Sequence, residues 1–83
     1  MGKNPHLVEL GKQVREVRKQ KGFSQETLAF RADIDRSYMG SIERGERNVS
    51  FLTLVKIADC LNCSVSDFTN RIPYDTRGTD EIR

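Results

Sequence analysis

Residues 25 to 44 constrain the fold more than any other stretch, because they lay out two short apolar stripes around a break too brief to hold anything but a tight turn. Leu28, Ala29 and Ala32 repeat at helical spacing, and after Asp33-Ile34-Asp35 the repeat restarts at Met39 and Ile42. The buried stripe fixes the angle between the two helices. Between the apolar positions, Gln25, Arg36, Ser37, Gly40 and Ser41 are read as facing outward. All are small or polar.

The flanking sequence supplies three more helices and no strand pattern. Leu7, Leu10, Val14 and Val17 share one face of a helix from about Pro5 to Lys21, started by Pro5 and stopped by Gly22. Its other face, with Lys12, Arg15, Glu16, Lys19 and Lys21, is expected to meet water. Ser24 is placed to cap the second helix, although Thr27 stands where Glu would complete a capping box. Asp33 falls where the turn wants a positive φ, and Asp35 caps the third helix. Gly45 ends that helix, and Glu46-Arg47-Asn48 forms the loop after it. Ser50 caps a fourth helix whose Leu52, Leu54, Val55, Ile57, Ala58 and Leu61 cover most of its circumference, which predicts a central position. Ser64 caps a short fifth element anchored by Val65 and Phe68. The expectation is an all-α, five-helix domain over residues 1–70, followed by an arm or tail over 71–83 in which Ile72 and Tyr74 can pack on the domain or across a dimer.

Eighty-three residues, 36% apolar and 31% charged, suit one small soluble core. Such a chain buries only about 60% of its unfolded surface, so self-association would help it. No apolar run approaches the ~20 residues of a membrane span, no signal peptide is evident, and His6 stands where a myristoylation signal needs Ser or Thr. A cytoplasmic protein is expected. Net charge is +2, divided as ten basic against seven acidic residues over 1–48 (+3) and four against five over 49–83 (−1). The basic half holds the two-helix unit, which favours a polyanionic partner.

A helix entering the DNA major groove reads bases with side chains near its N-terminus while the preceding helix spans the backbone. Arg36 and Ser37 occupy that leading edge, and Arg36 can donate two hydrogen bonds to guanine O6 and N7. Tyr38 and Ser41 are within reach of adjacent bases or phosphates, and Gly40 is read as keeping the surface low. Ser24 and Gln25 open the second helix, whose free N–H groups suit a phosphate. Arg47 and Asn48 are placed against the backbone, and Arg44 either contacts phosphate or forms a surface ion pair. Cys60 and Cys63 have C-x-x-C spacing, but zinc needs about four ligands and no second pair exists. Core packing is preferred for both. No nucleophile–base pair, carboxylate pair or phosphate-cradling loop is visible, so no catalysis, cofactor, metal or small-molecule ligand is assigned.

From about Leu7 to Phe68 the chain resembles the Cro and lambda-repressor-like helix-turn-helix family, also called XRE. The resemblance rests on Ser24-Gln25-Glu26-Thr27-Leu28-Ala29, the turn at Asp33 to Asp35, Arg36-Ser37-Tyr38, Ile42-Glu43-Arg44-Gly45, and Ile57-Ala58 with Leu61. Within it, Arg36-Ser37-Tyr38-Met39 and the run from Ile42 to Ser50 look most like the controller proteins of restriction–modification systems. The resemblance implies a homodimer on a palindromic double-stranded operator, regulating its own synthesis as repressor, activator or both. It also implies a structural salt bridge between Arg18 and Glu43, and it places Asp33 where the family usually has Gly. Leu52, Val65 and Phe68 are the candidate dimer surface. Glu26 and Asp33 are candidate contacts to a basic surface of RNA polymerase. An antitoxin or a phage-type repressor of the same fold is the alternative.

Overall fold

The computed structural model describes residues 2–73, and these form five helices: α1 (Pro5–Gln20), α2 (Gln25–Arg31), α3 (Arg36–Glu43), α4 (Phe51–Cys60) and α5 (Ser66–Thr69). Each of the first four starts at a side chain that accepts orphaned N–H groups, namely Asn4, Ser24, Asp35 and Ser50. The second and fourth use one device. Ser24 Oγ accepts from Thr27 N–H at 3.0 Å and donates to Thr27 Oγ1, and Ser50 repeats both bonds with Thr53. The threonines at the third helical position thus serve where the sequence offers no Glu.

Asp33 sits within the α2–α3 turn at φ +58°, the left-handed conformation that a short polar side chain tolerates. Asn62 does the same after α4, at φ +55°. Leu10, Val14, Leu28, Ala29, Met39, Ile42, Leu54, Ile57, Ala58, Leu61 and Phe68 form one buried cluster drawn from all five helices. α1 packs on α3 and α5, and α2 packs on α3 and α4. Two glycines permit this closeness. A Cβ on Gly11 would fall 2.3 Å from the Ile42 carbonyl oxygen, and one on Gly45, already at φ +75°, would fall 2.6 Å from Val8 Cα. Gly45 stops α3 as expected, which its positive φ fits, but its approach to α1 and the role of Gly11 carry no mark in the sequence.

Two expectations are corrected. α4 is not central: Leu54, Ile57 and Ala58 are buried, but Phe51 and Leu52 are 66% and 72% exposed. α5 begins after Val65, and Ser64 Oγ caps no backbone N–H. Instead Asp67 reaches back and accepts from Ser64 N–H and hydroxyl. Ile72 packs against the core, whereas Tyr74 and the rest of the expected arm lie outside the described residues. Among the described residues no helix is long and apolar enough to cross a membrane.

Candidate nucleic-acid interface

The frame of the interface is a buried carboxylate. Glu43, the last residue of α3, accepts from Arg18 Nε at 2.7 Å and Nη2 at 3.1 Å, and from Gln25 Nε2 at 3.0 Å. Arg18 Nη1 also donates to the Phe23 carbonyl, just ahead of α2. One acid therefore ties α1, the start of α2 and the end of α3 together. A fork-to-fork guanidinium–carboxylate pair fixes orientation as well as distance, so the angle between α2 and α3 is set by chemistry and by packing.

On this frame Arg36 and Ser37 stand at the exposed N-terminus of α3. The capping carboxylate of Asp35 accepts from Ser37 N–H, Ser37 hydroxyl and Tyr38 N–H. The Ser37 bond, followed by the Tyr38 N–H, holds the Asp35 carboxyl below the usual carboxylate range. Arg36 Nε lies 3.6 Å from Glu26 Oε2 across the turn, with both side chains largely solvated. Glu26 as the neighbour of Arg36 was not foreseen, since nothing in linear spacing brings positions 26 and 36 together.

The other candidates divide. Arg47 is exposed and its guanidinium lies 5.7 Å from the centre of the half-buried Tyr38 ring, which joins the loop to α3. Asn48 is exposed beside it. Ser24 is occupied with Thr27, and Gln25 is half-buried with its amide spent on Glu43. Arg44 Nε is 3.1 Å from Glu46 Oε2, and that hydrogen bond leads the causes that lower the Glu46 carboxyl. Lys3, another residue the sequence reading passed over, donates to the Arg44 carbonyl and lies 3.6 Å from Glu46.

Three placements differ from expectation. Ser41 is only 7% exposed and its hydroxyl donates to the Tyr38 carbonyl one turn back, so it faces the fold and is withdrawn from the reading edge. Gly40 is buried too: a Cβ there would meet Arg44 Nη1 at 3.1 Å and Gln25 Oε1 at 3.3 Å, so it serves the α2–α3 contact. Phe68 is completely buried within its own protomer and is removed from the dimer surface. Leu52 stays exposed, joined by Phe51 and Val55, while Val65 is half-buried against the core. Cys60 and Cys63 are free and half-buried, with burial pushing both thiols up.

Five helices, a locked α2–α3 angle and a polar edge at the start of α3 define a helix-turn-helix DNA-binding regulator, and the chain belongs to the helix-turn-helix family, whose model matches residues 14–68. Among its relatives, it is similar to the control protein C.MunI of Mycoplasma sp, 39% identical over 70 residues that span 83% of this chain and 95% of the relative. Its structure is similar to that of the restriction-modification controller protein C.AhdI from Aeromonas hydrophila, with TM-score 0.74 and 48% identity over 76% of this chain and 96% of that one. It is also similar to the biofilm regulator SinR in complex with DNA, with TM-score 0.65 and 38% identity over 68% and 90% of the two chains.

Proposed function

We propose that two copies of this chain bind a two-fold symmetric operator and control the genes of a restriction–modification system, their own synthesis included. The supporting observation is the exposed Arg36–Ser37 edge at the N-terminus of a helix whose angle is locked through Glu43. A helix held in this way inserts its first turn into the major groove, where the Arg36 guanidinium can span guanine O6 and N7. Arg47, Asn48 and the N–H groups opening α2 meet the phosphates on either side. Similarity to control proteins, over 83% of this chain for C.MunI and 76% for the restriction-modification controller C.AhdI, supports the genetic setting.

One module covers too little DNA for tight specific binding, so the dimer is part of the mechanism. The exposed Phe51, Leu52 and Val55 on α4 are the surface proposed to pair two copies. Glu26 and Asp33 are proposed to meet a basic surface of RNA polymerase at promoters where the bound dimer activates. Competition gel shifts with Arg36→Ala test the reading: the variant keeps its fold and loses about 100-fold or more of its preference for operator over scrambled DNA, since each of the two protomers gives up one bidentate contact. An Arg36→Ala variant as selective as the wild type overturns it.

A further inference from the structure

Lys12, Arg15 and Lys19 lie on one face of α1, and together with Val8, Glu16 and Glu43 they line a surface groove of about 390 Å³. All three cations are exposed, and among the described residues none forms an ion pair. The contrast is with Lys3, Arg36 and Arg44, each of which lies within 4 Å of an acid. Of the two acids in the groove, Glu43 is already neutralised by Arg18, which leaves three cations against Glu16 alone. Unpaired cations repeated at i, i+3 and i+7 make a continuous positive strip about 10 Å long.

The strip reaches Glu43, the residue that frames the proposed DNA face. Glu43 lines the groove, and its buried carboxylate holds Gln25 at the start of α2, where a backbone phosphate is expected, so one residue borders the groove and frames that phosphate position. The geometry points to a second contact zone: the groove of Lys12, Arg15 and Lys19 takes the sugar-phosphate backbone of the base pairs that flank each half-site. This rests on the DNA-binding reading above and extends it, since the flanking contacts carry no sequence information and set affinity and salt dependence.

The test compares wild type with Arg15→Gln/Lys19→Gln on three duplexes: the operator with long flanks, the operator trimmed to its core, and a scrambled long duplex, each titrated from 50 to 300 mM salt. The double variant keeps the wild-type circular dichroism and melting temperature, because both side chains are exposed. On long operator and on scrambled DNA its log K against log salt slope falls by about 1 per cation removed, and affinity drops by a similar factor on both. On the trimmed operator the variant and wild type coincide. Unchanged slopes on the long duplexes overturn the proposal, as does a loss confined to the operator or one that persists on the trimmed duplex. Failure of the DNA-binding reading is distinguished by the wild type itself, which would then show no preference for any of the three.

Discussion

Glu43 shows how a single residue converts packing into a fixed angle. It receives hydrogen bonds from two other helices, and removing its charge strands the buried Arg18 guanidinium. Glu43→Gln is expected to destabilise the fold by about 3 kcal/mol in urea unfolding, whereas Arg18→Met with Glu43→Leu should recover most of that loss, since an uncompensated buried charge costs more than an apolar pair. Asp35 makes the start of α3 sensitive to acid. Its folded pKa lies below its unfolded one, so its contribution is full above the unfolded pKa and is lost as pH falls through the folded value. Stability measured between pH 5 and 2 should therefore fall less steeply in Asp35→Ala than in wild type. At this scale the sequence was legible where a role is local: the caps at Ser24, Asp35 and Ser50 and the positive φ at Asp33 each follow from residue type and position. It misled at Ser41 and Gly40, because a helical stripe does not say which of its polar members a neighbouring helix will cover.

Elements meet here at distances that only particular residues permit. α1 crosses the end of α3 so closely that a methyl group on Gly11 would overlap the Ile42 and Glu43 carbonyls, and these backbone atoms have no flexible end to give way. Gly11→Ala should cost about 1 to 3 kcal/mol in urea unfolding, while Gly2→Ala, with open space around it, costs nothing measurable. Such close approaches leave no linear signature, since a glycine inside a helical pattern reads first as a weak point. The same limit explains α4. Its apolar circumference holds two faces, and one of them, with Phe51, Leu52 and Val55, lies exposed on the outside of the protomer. Periodicity reports that a face is apolar and does not report whether its partner is in the same chain. Phe51→Glu with Leu52→Glu is therefore expected to leave the melting cooperative and to abolish self-association in sedimentation at tens of micromolar. A cooperative variant that still sediments as the wild type does would remove this face as the pairing surface.

The whole molecule combines an exposed polar edge at the start of α3, a basic half and an exposed apolar face. If α4 pairs two protomers about a two-fold axis, the two copies of Arg36 face the same side of a duplex and their half-sites lie about 34 Å apart, one turn of DNA. Specificity then depends on concentration, because a monomer offers only one reading edge and a small footprint. Selection of bound sequences from a random duplex pool tests this most directly. The expected result is enrichment of a two-fold symmetric site whose half-sites are centred about one helical turn apart, each with a guanine whose enrichment disappears when Arg36→Ala is used in the selection. Enrichment of an asymmetric site, or of the same symmetric site with equal strength by Arg36→Ala, would contradict it.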